Sequence, residues 1–249
     1  MSGIVAGKLA FVTGAGSGIG RAVCQKLAKE GATVVAADLN AKRASETVAL
    51  LEGSDHLSLA VDVVSPNSIN EAFVSVLQHY PKPPTLVVNS AGITRDNYFL
   101  KLSETDYDQV LDVNLKGTFL VTQIAVKAMI NAEVSNGGSV VNLASIVGKL
   151  GNIGQSNYCA SKAGVEGFTR GACIDLAKFG VRINAVLPGF IKTQMTDIVP
   201  ERIKTILIAK TAAGRMGTPD EIAEVIAFLC SNKSSFVNGA SIDVTGGFF

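Results

Sequence analysis

Tyr158 and Lys162 stand four residues apart in a helical segment, so their side chains share a face. A phenol titrates near pH 10, about three units too high to supply much phenolate at neutral pH. A neighbouring ammonium favours the phenolate. Such a pair suits a reaction in which an oxygen gains or loses a proton, as a carbonyl oxygen does when its carbon takes up a hydride. A lysine at helical spacing after a tyrosine also arises by chance, so the pair needs support. Ser145 is read as closing a strand at 139–145. In open α/β sheets ligands bind beyond the carboxyl ends of the strands, where a serine hydroxyl can hold a substrate oxygen. Its plain alternative is a turn or helix cap. Asn114 lies in a helical pattern, where asparagine has poor propensity. It can hold a kink or a water there; an ordinary surface asparagine is the other reading.

A second constellation is Thr13-Gly14-Ala15-Gly16-Ser17-Gly18-Ile19-Gly20, between a strand and a helix. Glycines let the backbone turn tightly and approach a pyrophosphate, and the helix N-terminus offers free N–H groups to it. The spacing fits TGxxxGxG rather than GxGxxG, because Ile19 stands where the last glycine would fall. Asp38 ends the second strand, where a carboxylate accepts ribose hydroxyls and repels a 2′-phosphate. Ser17 leaves the turn without a basic side chain. Together these favour NAD over NADP. A methyltransferase using S-adenosylmethionine would show the same strand, turn and acid, so these residues alone leave it open.

The elements that must position these groups alternate. Short apolar, β-branched runs at 9–13, 33–38, 57–61, 85–89, 139–145, 182–187 and 241–244 are separated by helical patterns such as 19–30, 41–51 and 68–79. Alternation of this kind implies βαβ crossovers and a doubly wound parallel seven-stranded sheet covered on both faces. Thr218-Pro219-Asp220-Glu221 is a strong helix start and Ser103-Glu104-Thr105-Asp106 a weaker one. Pro81-Lys82-Pro83-Pro84 reads as a rigid turn into a strand, and no linker or repeat divides the chain, so 1–249 is one α/β domain. The 249 residues are 47% hydrophobic and 17% charged, with net charge +1. That excludes dominant disorder and argues against nucleic acid or an acidic membrane surface as partner. Four cysteines without a CxxC, and two histidines, make a disulfide framework or a metal site improbable. No apolar run reaches the roughly 18 residues of a membrane span. Residues 1–9 show no secretory signal or transit peptide.

In order along the chain, TGxxxGxG at 13–20, Asp62-Val63, Asn89-Ser90-Ala91-Gly92, Asn114, Ser145, Tyr158-Cys159-Ala160-Ser161-Lys162 and Pro188-Gly189 resemble the short-chain dehydrogenase/reductase family over nearly the whole length. The family pattern has asparagine where Ser90 stands. The resemblance implies a single-domain Rossmann fold with Tyr158 as catalytic acid/base and Ser145 orienting the substrate oxygen. Lys162 would bind the nicotinamide ribose and lower the tyrosine pKa, and Asn114 would hold a water in a proton relay. Gly14, Ser17, Gly18, Ile19 and Gly20 would follow the cofactor phosphates, with Asp38 and Leu39 at the adenosine ribose and Asp62 and Val63 at the adenine. Asn89, Ala91, Gly92, Val113, Pro188, Gly189 and Ile191 would line the cofactor, and Thr193 would reach the carboxamide.

Residues 148–158 and 187–196 further resemble the 3-oxoacyl-acyl-carrier-protein reductases, and with Asp38 the likeness is to their NAD-using branch of estradiol 17-beta-dehydrogenases. That branch implies a hydrophobic substrate (a 3-hydroxyacyl thioester or a 17β-hydroxysteroid) and work in the mitochondrial matrix, otherwise the cytoplasm. It also implies a homotetramer, or a heterotetramer with a carbonyl reductase 4-like subunit. Bacterial reductases of this resemblance carry arginines that dock the acidic carrier protein; this chain has Ala132-Glu133 and Ile174 at the aligned places. Residues 190–210 are long and apolar, and read either as a lid over a greasy substrate or as packing on the body.

Overall fold

The computed structural model describes residues 3–248; Met1 and Ser2, part of the 1–9 segment read above, and Phe249 lie outside the described residues. From the N-terminus run β1 (Leu9–Thr13), α1 (Gly18–Lys29), β2 (Thr33–Asp38), α2 (Ala41–Val48), β3 (Leu57–Ala60), α3 (Pro66–His79) and β4 (Leu86–Asn89). Then follow α4 (Glu104–Leu111), α5 (Gly117–Asn131), β5 (Gly138–Leu143), α6 (Val147–Leu150), α7 (Ser156–Leu176) and β6 (Val181–Pro188). The chain closes with α8 (Gln194–Asp197), α9 (Glu201–Ala209), α10 (Pro219–Cys230) and β7 (Ser241–Val244).

All strands are parallel, in the order β3-β2-β1-β4-β5-β6-β7. Alternate side chains of each strand feed opposite layers. Val12, Val34, Leu86 and Val186 pack with Val23 and Leu27 of α1 and Ile222 and Ile226 of α10. Phe11, Val35, Val87 and Ile183 pack with Phe73 of α3 and with Val121, Ala125 and Met129 of α5. Both faces are covered at the centre of the sheet, so β1 and β4 are buried and almost wholly apolar, whereas the edge strands β3 and β7 are only partly buried. The order reverses between β1 and β4, which opens a crevice beyond their carboxyl ends.

Capping behaves as its residues dictate. Thr218 and Glu221 close a reciprocal box at α10, and the Ser103 hydroxyl accepts from Asp106 N at 3.0 Å at α4. One site residue moves from its expected place. β5 stops at Leu143, so Ser145 lies two residues past the strand rather than closing it. Ala144 N still pairs with Val186 O, and Ser145 lies in the short link before α6, where its hydroxyl accepts a long bond from Val147 N at 3.4 Å. β3 ends at Ala60, β4 begins at Leu86 and α2 ends at Val48, each short of the pattern read from apolar residues.

Candidate active site

The crevice is built first by glycine. Gly14 has φ +63°, and a Cβ there would lie 2.8 Å from the Ala91 backbone. A Cβ on Gly20 would lie 2.1 Å from Gly14 O, so only glycine lets α1 start this close to β1. Thr13 ties the two sides together: its hydroxyl accepts from Ser90 N at 3.1 Å and Ala91 N at 3.2 Å. The Ser90 side chain takes no part in that link, which explains why the departure from the family's asparagine is tolerated.

On the far side, residues 112–116 form a π-helical turn between α4 and α5. It turns Asn114 inward, fully buried. The Asn114 carboxamide accepts from Ile93 N at 2.8 Å and donates to Ile93 O at 3.0 Å and to the Ser161 hydroxyl at 3.1 Å. A Cβ on Gly92 would sit 3.3 Å from Asn114 Oδ1 and 3.5 Å from Lys162 Nζ, so these three residues meet in one place. Lys162 is buried; its Nζ donates to Leu143 O at 2.6 Å and lies 5.6 Å from the centre of the Tyr158 ring. Burial alone pulls its pKa from 10.5 to about 8. Burial also dominates at Tyr158, pushing the phenol up to about 12, and the Ser145 hydroxyl beside it pulls back only part of that rise. The charge on Lys162 does not outweigh burial at the phenol, contrary to the simplest reading of the pair. Tyr158 is therefore a protonated acid at neutral pH, the form that gives a proton to a carbonyl oxygen.

A family model described as enoyl-(acyl carrier protein) reductase matches residues 14–249. Among curated proteins, the chain is 48% identical over 252 residues to the (3R)-3-hydroxyacyl-CoA dehydrogenase of Homo sapiens, covering 97% of this chain and 95% of that one. It is 43% identical over 246 residues to the 3-oxoacyl-acyl-carrier-protein reductase of Aquifex aeolicus, with 98% of each covered. The chain belongs to the short-chain dehydrogenase/reductase family. Members are oxidoreductases that bind a nicotinamide cofactor.

The family's cofactor fits these residues. Val63, Asn89, Ala91 and Val113 cluster with Thr13 and Thr118 beside the glycine turn, and Asn89 Oδ1 is buried without a hydrogen-bond partner among the described residues. The Ser17 hydroxyl does not cap α1, which leaves the first-turn N–H groups to an anion. Thr193, whose methyl would lie 3.5 Å from a Cβ on Gly18, faces that turn from the β6 side. Pro188 ends β6, Gly189 is pressed against Thr245, and Ile191 is buried. Asp38 is fixed by two backbone donors, Gly16 N and Asn40 N, each at 2.9 Å. Asp62 is engaged in its own turn, accepting from Val64 N at 3.0 Å, and Leu39 is exposed.

Sequence reasoning missed Arg43. The turn itself lacks a basic side chain, but the first turn of α2 brings Arg43 Cβ to within 2.6 Å of where a Gly16 Cβ would be. The signal lay in the capping Asn40, whose side chain accepts from Arg43 N and fixes that turn. Met195, Ile198, Ile203 and Ile206 are exposed, and no residue of α8 or α9 is buried. Ile191 is buried and Val199, Leu207 and Ile208 are partly buried, so the apolar 190–210 segment is packed on the body at some positions and exposed at others.

Proposed function

We propose that this chain interconverts the hydroxyl and ketone of 3-hydroxyacyl thioesters with NAD(H). The observation that carries the reading is a chain of neighbours: Asn114 and Lys162 meet beside Gly92, Lys162 stands 5.6 Å from the Tyr158 ring, and the Ser145 hydroxyl lies beside Tyr158. The cofactor, when bound, supplies or accepts the hydride. Ser145 holds the substrate oxygen, and Tyr158 gives it a proton in reduction or takes one in oxidation. Lys162, with a pKa of about 8, exchanges protons readily at working pH and reloads the phenol. Ile146, Val147 and Met195 offer apolar walls, and Asn152 and Gln155 two amides, which suits an acyl chain joined to a polar thioester.

The carrier-docking positions Ala132, Glu133 and Ile174 are exposed and uncharged or acidic, which supports a coenzyme A ester over a carrier-bound one. Asp38 supports NAD, because a carboxylate fixed at the end of β2 would repel a 2′-phosphate; Arg43, whose guanidinium makes no hydrogen bond among the described residues, is the opposing group. The test is one panel: (3R)-3-hydroxyacyl-CoA, estradiol and an acyl-carrier-protein thioester, each with NAD(H) and NADP(H). The expected result is highest kcat/KM for the coenzyme A ester and binding of NAD about ten- to a hundred-fold tighter than NADP, the worth of one charged hydrogen bond. Equal affinity for both cofactors, or a strong preference for the carrier-bound substrate, would overturn the reading. Estradiol turnover at a comparable rate would extend it to 17β-hydroxysteroids. The resemblance supports mitochondrial fatty acid synthesis as the setting, which cell fractionation checks.

The same reading includes a tetramer. α7 exposes Ala160, Ala163, Gly167, Gly171 and Ile174 along one stripe, and added Cβ atoms at Gly167 and Gly171 would meet no neighbouring main chain. Each mid-helix glycine costs about 1 kcal/mol against alanine, which close approach of a second helix would offset. Gly164 is different: Leu115 of the same chain fills its space. Light scattering at micromolar concentration is expected to give four chains, and a monomer would refute this. Mixing with a carbonyl reductase 4-like subunit would show as co-purified mixed tetramers.

A further inference from the structure

The glycine turn is held from outside its own motif. Ala15 N donates to Ala37 O at 3.1 Å and Gly16 N to Asp38 Oδ2 at 2.9 Å, so β2 holds the amide side of both peptides. The carbonyl side is held by two residues with no place in the motif. The Thr47 hydroxyl, fully buried on α2, donates to Ala15 O at 2.8 Å, with Arg43 O second at 3.1 Å. Arg21 on α1 donates through its terminal nitrogen to Gly16 O, and through Nε to Thr47 Oγ1 at 3.0 Å. Glu46 stands 3.7 Å from the same guanidinium.

A turn that binds an anion has a specific difficulty. Its N–H groups must face the ligand, but each flexible glycine peptide can also rotate a carbonyl into that space and repel it. Here the two carbonyls with that freedom, Ala15 O and Gly16 O, are both tied back toward α2. We infer that Arg21 and Thr47 are positioning residues that keep the phosphate-binding turn in its anion-accepting form. The inference rests on the proposed nucleotide-binding reading and adds the device that maintains it. The guanidinium suits the task because it spans two acceptors in a fixed plane, which a lysine cannot do.

The test separates positioning from simple packing by the phosphate content of the ligand. NADH, ADP-ribose and adenosine are titrated into wild type, Arg21→Ala, Arg21→Lys, Thr47→Val and Thr47→Ser. Loss of either tether is expected to weaken NADH and ADP-ribose about tenfold, the low end for a charged hydrogen bond. Adenosine should stay within about twofold, and Thr47→Ser, which keeps the hydroxyl, should bind as wild type. In turnover, KM for the cofactor should rise far more than kcat falls. Equal weakening of adenosine and NADH, or no weakening in any variant, overturns the inference. Should Arg21→Ala fail to fold, Arg21→Lys and the two Thr47 variants decide it. Wild type binding neither NADH nor NADPH would instead defeat the nucleotide reading itself.

Discussion

Tyr158→Phe is expected to lower kcat about 10²–10⁴-fold while leaving cofactor affinity within a few-fold, because general acid–base catalysis contributes on that scale. The substitution removes one hydroxyl and almost no volume from a half-buried ring. The phenol is pushed up to about 12, so it is a proton donor throughout the neutral range and a poor base. Reduction should therefore be steady across neutral pH, whereas oxidation should quicken as pH rises toward the alkaline end. Steady-state rates in both directions between pH 6 and 10 check both statements. A phenylalanine variant with near wild-type kcat would mean that another group delivers the proton.

The second large effect is on stability. Lys162 is buried, and its pKa falls from 10.5 to about 8 on folding. A group whose folded pKa is lowered in this way binds fewer protons folded than unfolded between those two values. Stability contributed by the site thus rises with pH across that window, and below about pH 8 the fold carries the full penalty of a buried charge. At 1.36 kcal/mol per unit this is about 3 kcal/mol, part of which the hydrogen bond to Leu143 O offsets. Lys162→Met should consequently be more stable than wild type at pH 7 by about 1–2 kcal/mol, a rise in Tm of about 2–8 °C for a chain of this size. The gain should shrink as pH rises above 8 toward 10.5. Turnover should be nearly lost, the usual exchange of stability for function at an active site. Urea titrations at pH 7 and pH 9.5 measure both; a variant less stable at pH 7, or a difference that ignores pH, would refute the account.

Local periodicity carried most of the architecture. The bounds of β1 and β2 follow directly from their apolar runs, because a strand covered on both faces has no polar side to blur its ends. Tyr158, Lys162 and the glycine turn were readable because each is a short-range pattern with a chemical reason. What escaped was of three kinds. Ser145 was placed on the strand because its neighbours are apolar, yet β5 stops at Leu143 and the serine lies in the link to α6. Arg43 approaches the glycine turn only through a bend set by the Asn40 cap. Thr47 and Ala15 are far apart in the chain, and nothing in either local pattern announces the bond between them. Hydrogen bonds across βα units depend on how the units are stacked, which spacing does not encode.

The π-helical turn at 112–116 has a consequence for how this chain can change length. An α-helix counts residues, since each one rotates the face by about 100°. α5 must present Val121, Ala125 and Met129 to the core, and α4 must present Val110, and these demands fix the phase of the helix on either side. The wide turn absorbs the one residue by which the two phases disagree, and Asn114 occupies it. Loss of a single residue here would produce a straighter, more regular helix whose two ends agree with each other. It would do so by rotating either the buried face of α5 or Asn114 itself out of place. The segment is therefore closed to insertion and deletion even though a helix is ordinarily among the easier places to repair, and its irregularity is a form of punctuation that the active site reads.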